Sequence, residues 1–315
     1  MCMVLDQAIE EWSYLVKRQE YIAYKVIPSS TSKYRQHHSS LSQAEEGGES
    51  VVEVVYSCPT IEWRERNCEW CFDLTDRFNI DRDVIGIALS YFDRYVSCQT
   101  SIDETIHRLA IIASLYLALK LHSAKRISAS SMSAFSGGRF TTHEILRTEK
   151  RIIETLRWYL NPPTSSMFLI VAYPLIDAIA AAVSGDDDDE NPPMQAAAAA
   201  ASSCSCVDDI KEFSRYLLEL SVCDGYFIDK DPSSIAYASI LVAMDYLATP
   251  TKMRRNFESL YRRHRLDGSP HITVLCAERL YHVYDNLLMP ITDWCSEEQH
   301  GKPCRVQTSP RTVIK

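Results

Sequence analysis

Glycine is scarce in this sequence, with 9 of 315 residues against a usual share of about 7%. Tight hairpin turns and loops that wrap phosphate groups use glycine, because glycine reaches positive φ at little cost. The composition therefore disfavours a large β-sheet fold and a nucleotide-binding α/β enzyme. The motifs GxxxxGK[ST], GxGxxG, HExxH and GxSxG are missing as well, so neither a catalytic residue nor a cofactor is indicated.

The chain also lacks a surplus of positive charge. It has 33 basic and 42 acidic side chains and a net charge of −9, whereas binding to nucleic acid through phosphates requires a basic face. The N-terminus, MCMVLDQAIEEW, lacks the pattern of a secretory signal. The most apolar stretch, 167–183, contains Pro174 and Asp177 and is shorter than the roughly 20 residues of a membrane span. We therefore expect a soluble protein of the nucleus or the cytoplasm.

Eleven cysteines are present, but their spacing does not indicate a metal site. Cys68 and Cys71 form a CxxC pair, whereas a zinc site needs a second such pair or a spaced histidine pair. The two cysteines also lie inside a helical pattern rather than at the start of a helix after a strand. We interpret the cysteines as reduced thiols that pack as small apolar residues.

Apolar residues recur at helical spacing along most of the chain. A first amphipathic helix over 5–23 is followed by a polar stretch, 29–50, that is typical of a flexible linker. Five further helices are then predicted. The third, over 109–119, is apolar on every side, so other helices must surround it. The five are predicted to begin near residues 62, 85, 109, 128 and 142, with Thr142 as the N-cap of the last.

The same plan repeats after the helix-breaking sequence Asn161-Pro162-Pro163-Thr164. Helices are predicted over 167–183, 208–224, 235–248, 256–265 and 272–288, and the one over 235–248 is again apolar almost all round. The segment 184–206 carries an acidic run, two prolines and six alanines, and we interpret it as an inserted, solvated loop. The pattern predicts an all-α protein with an N-terminal helix and linker (1–59), two five-helix units (60–161 and 162–290) and a flexible tail (291–315).

Four charged residues stand beside apolar stripes of the first five-helix unit. They are Arg64, Asp93, Lys120 and Glu149. One such charge near a helix end usually reaches water or pairs locally. Four of them on neighbouring helices indicate ion pairs at a groove between helices.

These residues carry a resemblance to a known family. Arg64 in WRERNCEW, Asp93 in YFDRYVS, Leu109 in HRLAIIAS, Lys120 in LALK and Glu149 in LRTEK match, in order, the five signature positions of the first cyclin box. The chain thus resembles cyclins, the regulatory subunits of cyclin-dependent kinases, over about residues 60–288. The resemblance implies tandem five-helix cyclin boxes, and we call 60–161 the first box and 162–290 the second box.

The resemblance also implies roles for these residues. Arg64 and Asp93 would form a buried structural ion pair. Lys120 and Glu149 would face the partner, a cyclin-dependent protein kinase, whose mobile helix would insert an apolar residue into an adjoining pocket. The cyclin would activate the kinase allosterically without a catalytic group of its own. By position, the kinase-binding pocket would consist of Leu117, Leu121, Ile153, Trp158 and Leu160.

Many cyclins also carry a patch that docks substrates or inhibitors through an Arg-x-Leu motif. Trp63, Trp70 and Asp73 occupy matching positions here, but Arg66 and Asn67 replace aliphatic residues and Arg108 replaces a neutral amide. An added cation repels an incoming arginine, so we expect docking that is lost or altered in specificity.

Two other classes remain open. Transcription initiation factors of the B type share the tandem helical fold and bind DNA. Within the cyclins, a transcriptional role is a further alternative to a role in the cell cycle. A helical enzyme would show turnover without a partner, although no residues indicate one. A basic cluster in the second box favours the DNA-binding class: Lys252, Arg254, Arg255, Arg262, Arg263 and Arg265.

Overall fold

A computed structural model describes residues 2–25, 59–99, 103–184, 193–264, 266 and 269–288. Every regular element in these ranges is helical, which confirms the all-α prediction. The predicted linker over 29–50 and the predicted tail over 291–315 lie outside the described residues. The first helix is α1 (Cys2–Lys25). The first box contains α2 (Pro59–Arg77), α3 (Asp83–Ser97), α4 (Glu104–His122), α5 (Ala129–Phe135) and α6 (Thr142–Thr155).

The second box follows with five more α-helices. They are α7 (Ser165–Ser184), α8 (Pro193–Cys223), α9 (Pro232–Tyr246), α10 (Thr251–His264) and α11 (Pro270–Leu288). A short 3-10 turn, Gly225–Phe227, connects α8 to α9.

Most helices begin a few residues before the predicted start, as α4 does at Glu104 rather than near 109. The N-cap of α6 is Thr141 rather than Thr142, because Thr141 and Glu144 form a reciprocal capping box. Helix α8 begins at Pro193, so the part of segment 184–206 from Pro193 onward is helix rather than loop. Its alanine run explains the difference, since alanine has the highest helix propensity. Helix α10 begins at Thr251, five residues before the predicted start.

The first hydrophobic core surrounds α4. Residues on every side of this helix are buried, including Ile111, Leu115 and Leu119, and α3, α2 and α6 pack around it. Asp103 caps its start by accepting a hydrogen bond from the Ile106 amide at 2.7 Å. Burial on every side explains why α4 is apolar all round, because no face of it meets solvent along most of its length.

The second core is built around α9, with α7, α8 and α11 packed against it. Helix α7 has 20 residues and is longer than the apolar stretch 167–183 that the sequence predicted. Its segment Ser165–Val183 has the length and composition of a membrane span. Its residues Phe168, Ala172 and Ile176 are fully buried in the second core, which is the pattern of a core helix.

Helix α1 packs with the second box although it precedes the first in sequence. Trp12 is fully buried, and its indole N–H donates a hydrogen bond to the Leu266 carbonyl at 3.0 Å. The ring meets Phe168 and Tyr261 edge to face, with centroids 4.8 and 5.1 Å away. Edge-to-face contacts and burial make Trp12 the anchor of α1 on the second core.

Polar contacts connect the two boxes. Arg82 at the start of α3 pairs with Glu219 of α8 at 2.5 Å, and Arg215 of α8 pairs with Asp81 at 2.9 Å. The Gly225 amide donates to the Glu65 carboxylate at 3.1 Å. Helices α2 and α3 of the first box therefore lie against α8 of the second.

Candidate protein-binding groove

Lys120 and Glu149 form an ion pair across the packed helices α4 and α6. The Glu149 side chain is 7% exposed and that of Lys120 is 40% exposed, so the pair lies at the rim of the first core. Lys120 is in the last turn of α4, where a cation interacts favourably with the helix dipole. Its ammonium also lies 5.4 Å from the centroid of the Tyr116 ring. The positions of Lys120 on α4 and Glu149 on α6 thus bring opposite charges together at the rim of the first core.

The turn after α6 presents a tryptophan to solvent. Arg157 and Trp158 have φ of 50° and 62°, a left-handed conformation that is costly for bulky residues other than glycine. The Trp158 amide closes the turn by donating to the Ile153 carbonyl at 3.1 Å. Trp158 is 76% exposed as a result. Strained backbone of this kind clusters at binding and catalytic sites, which makes this turn a candidate contact surface.

The other predicted pocket residues divide into two groups. Leu121 is 49% exposed, and Ile153 and Leu160 are partly buried. Leu117 is only 1% exposed and packs in the first core, so it does not contribute to the solvent-facing surface. The solvent-facing apolar residues of the groove are therefore Leu121, Ile153, Trp158 and Leu160.

Hydrogen bonds hold the groove together at the end of α4. His122 Nε2 lies 3.2 Å from the Leu160 carbonyl oxygen, and the Tyr91 hydroxyl donates to the same oxygen. Since Leu121 precedes His122, these bonds keep Leu121 and Leu160 on neighbouring segments. We call the surface of Lys120, Leu121, Glu149, Ile153, Trp158 and Leu160 the α4–α6 groove.

Sequence reasoning missed Arg94, which supports the turn from below. Arg94 is 5% exposed, and its guanidinium donates to the Ser90 carbonyl at 3.0 Å and to the Tyr159 carbonyl at 3.1 Å. Burial lowers its pKa to about 10. Arg94 directly follows Asp93, so the sequence signal was a second charge beside Asp93 in the apolar part of the helix.

Arg64 and Asp93 form the ion pair that the resemblance implies. Arg64 Nε and Nη2 donate to the two Asp93 oxygens at 2.8 and 3.0 Å, and the side chains are 5% and 15% exposed. Arg64 Nη1 also donates to the Val222 carbonyl at 3.0 Å. The pair therefore joins α2 to α3 and reaches the second box, a contact that the sequence did not reveal.

The predicted docking patch on α2 is only partly assembled. Trp63 and Trp70 are half-buried, and Trp63 lies edge to face on His107, with centroids 5.8 Å apart. Asn67 is buried and donates to the Trp63 carbonyl at 2.6 Å, which explains a polar residue at this position. Asp73 is exposed.

Arg108, the added cation of the patch, pairs with Glu104 at 3.7 Å. Both side chains are substantially exposed, at 35% and 52%, so the pair is weak and salt-sensitive. Repulsion of an incoming cation by Arg108 stays a prediction.

The basic cluster of α10 is partly neutralised within the protein. Arg254 pairs with Asp245 and Glu258, and Arg262 pairs with Glu258 at 3.2 Å. Arg265 lies outside the described residues. No group of metal-ligating side chains occurs within the part of the chain that the structure describes.

Two family descriptions match this chain. "Cyclin, N-terminal domain" matches residues 32–161, and "Cyclin, C-terminal domain" matches residues 194–286. Together they cover more than half of the chain.

Individual relatives match over shorter segments. The chain is 32% identical over 105 residues to the G1/S-specific cyclin-D of Caenorhabditis elegans, covering 33% of this chain and 26% of that protein. It is 28% identical over 109 residues to the G1/S-specific cyclin-E1 of Gallus gallus, covering 33% of this chain and 27% of that protein. The matches thus span about a quarter of the length of these relatives.

A solved structure resembles the whole fold. It is the viral cyclin from herpesvirus saimiri, with a TM-score of 0.58 and 16% identity, and the match covers 87% of this chain and 96% of that one. At this identity the likeness shows the fold: two helical boxes in tandem.

Proposed function

This chain belongs to the cyclin family, and from that membership we propose that it binds a cyclin-dependent protein kinase and activates it as a regulatory subunit. The observation that carries the proposal is the Lys120–Glu149 pair between α4 and α6, with the 76% exposed Trp158 in the turn that follows α6. An apolar groove with charges at its rim fits an amphipathic helix of a partner.

Each part of the α4–α6 groove has a separate task in this proposal. Trp158 and Leu121 supply apolar area that a partner helix covers, and exposed tryptophan is among the residues that contribute most to binding energy. Lys120 and Glu149 compensate each other in the free chain and offer one donor and one acceptor group to the partner. Paired charges at a rim determine register and orientation more than total affinity.

The mechanism we propose is allosteric. Docking rotates the mobile helix of the kinase, so that its glutamate reaches the lysine that positions ATP, and reorders the activation loop. This chain contributes no catalytic group. The proposal places the protein in the nucleus or the cytoplasm, where its kinase acts.

The test is co-expression with a cyclin-dependent kinase, followed by pull-down and an assay of histone phosphorylation. Trp158→Ala should weaken binding by about 2 kcal/mol, roughly 30-fold, because it removes an exposed aromatic anchor. Val274→Ala is the matched control, since Val274 is also exposed, at 54%, but lies on α11 in the second box. It should leave binding unchanged.

A second variant tests the charges. The double exchange Lys120→Glu/Glu149→Lys keeps an opposite pair within the chain, so the fold should survive, but it reverses the charges that face the partner. We expect binding and kinase activation to be lost. Full activation by this variant would contradict the assigned roles, and binding without activation by the unaltered chain would indicate a scaffolding or inhibitory subunit.

The DNA-binding reading makes a different prediction. Arg255 and Arg263 of α10 are exposed, and they are the residues on which it would depend. Salt-dependent affinity for duplex DNA, combined with no binding to any such kinase, would favour a transcription factor of the B type.

A further inference from the structure

Two thiols from different boxes are in contact. Cys68 lies in α2 of the first box, Cys223 is the last residue of α8 in the second box, and their sulfurs are 3.5 Å apart. Cys68 donates its S–H to Cys223 Sγ, and its sulfur also lies 3.8 Å from the Val222 carbonyl oxygen. We propose that Cys68 and Cys223 are a modification site, at which a peroxide drives formation of a disulfide bond that links the two boxes.

The two sulfurs differ in access. Cys68 is fully buried, whereas Cys223 is only partly buried. The hydrogen bond to Cys223 and then burial raise the pKa of Cys68 well above its ordinary value, so Cys68 remains a thiol in the resting protein. Cys223 accepts the hydrogen bond and is the sulfur of the pair that solvent reaches. It is therefore the one that reacts first with a small oxidant.

The reaction balances in two steps. The Cys223 sulfur attacks one oxygen of hydrogen peroxide and the O–O bond breaks. Cys223 becomes a sulfenic acid while one water is released. The Cys68 sulfur then attacks Cys223 Sγ, the S–O bond breaks, and the hydroxide leaves with the Cys68 proton as a second water. Two thiols are oxidised by two electrons in total, and one peroxide is reduced to two waters.

Burial of Cys68 does not prevent the second step, because that step needs no access from solvent. The attacking sulfur is already in contact with its target, and such proximity gives a high effective concentration. A resolving thiol in contact also competes with further oxidation of the sulfenic acid. The bond would connect helices that Arg64 already joins through the Val222 carbonyl, so the boxes could no longer separate at this contact.

Cys71 is the rival resolving thiol. It lies on the same helix, is fully buried, and its pKa is raised, chiefly by burial. The sulfur that lies 3.5 Å from Cys223 Sγ is that of Cys68. The proposal therefore specifies Cys68, and a Cys71–Cys223 bond would overturn it.

The experiment treats the full-length chain with stoichiometric hydrogen peroxide, alkylates the remaining thiols in denaturant and maps the peptides by mass spectrometry without reduction. We expect a linked Cys68–Cys223 peptide that a dithiol reductant separates. Exposed Cys98 is the control for reagent access. Recovery of Cys68 as an alkylated thiol, with Cys98 or Cys223 already oxidised to sulfinic acid, would overturn the proposal.

Two variants complete the test, with helical circular dichroism as the check on folding. Cys71→Ser should keep the Cys68–Cys223 link. Cys223→Ser should abolish it and leave Cys68 as a free thiol. The unaltered chain already decides the main question, so the test does not depend on either variant folding. It is also independent of kinase binding.

Discussion

Replacing Asp93 by alanine should destabilise the protein by about 3–5 kcal/mol, because it removes the carboxylate that accepts two hydrogen bonds from the buried Arg64 guanidinium. The Arg64 side chain is 5% exposed and donates two hydrogen bonds to Asp93, at 2.8 and 3.0 Å. The variant keeps the bond from Arg64 to the Val222 carbonyl, which does not neutralise the charge. A Coulomb energy of about 4 kcal/mol for a pair 4 Å apart, at an effective dielectric constant near 20, gives the same magnitude.

The measurement is the free energy of unfolding in urea. A matched control is Glu154→Ala, which removes the exposed pair of Lys150 and Glu154, at 3.8 Å and with 76% and 60% exposed side chains. That change should cost less than about 0.5 kcal/mol. The double variant Arg64→Met/Asp93→Leu should recover much of the loss, since it removes both charges and keeps apolar volume.

Two results would refute this reasoning. One is an Asp93→Ala variant that unfolds within about 1 kcal/mol of the unaltered chain, which would mean that water reaches Arg64. The other is a double variant as unstable as the single one. In that case packing, rather than the loss of the ion pair, would explain the lower stability.

Three further changes test other parts of the structure. Trp12→Ala should lower the free energy of unfolding in urea by about 3–5 kcal/mol, because it removes the buried side chain that anchors α1 on the second core. A loss below about 1 kcal/mol would show that α1 is not docked. Thr141→Ala should cost about 0.5–2 kcal/mol by the same measurement, since it removes the capping box of α6, and Thr142→Ala is its control. Burial raises the pKa of Glu65, so the folded state binds a proton more readily than the unfolded state, and this group should favour folding more as the pH falls from 7 into the carboxyl range. The pH dependence of unfolding should therefore be weaker in Glu65→Gln, and an unchanged dependence would contradict the burial effect.

Much of the first box was predictable from local pattern. Helical periodicity determines which residues share a side, and from it ion pairs were expected among Arg64, Asp93, Lys120 and Glu149. The structure contains the pairs Arg64–Asp93 and Lys120–Glu149. The burial of Leu117 was not predicted, for a related reason. On a helix that is apolar all round, periodicity cannot distinguish the face toward a partner from the face toward the core.

The exposed turn of Arg157 and Trp158 could not be predicted, because neither residue type favours the left-handed conformation. The surrounding contacts impose it: Arg94 holds the Tyr159 carbonyl, and His122 lies against the Leu160 carbonyl. These contacts join residues far apart in sequence, so no local window contains them.

The all-α class and the repetition of two five-helix units follow from the sequence alone, because spacing and helix-breaking residues act over a few neighbouring positions. The docking of α1 on the second box, the reach of Arg64 to Val222 and the contact of Cys68 with Cys223 depend instead on the tertiary structure. Each of them results from burying apolar faces and satisfying buried polar groups across the whole molecule. Which faces are buried and which polar groups are paired depends on which helices meet in space. The order of residues along one helix does not determine this.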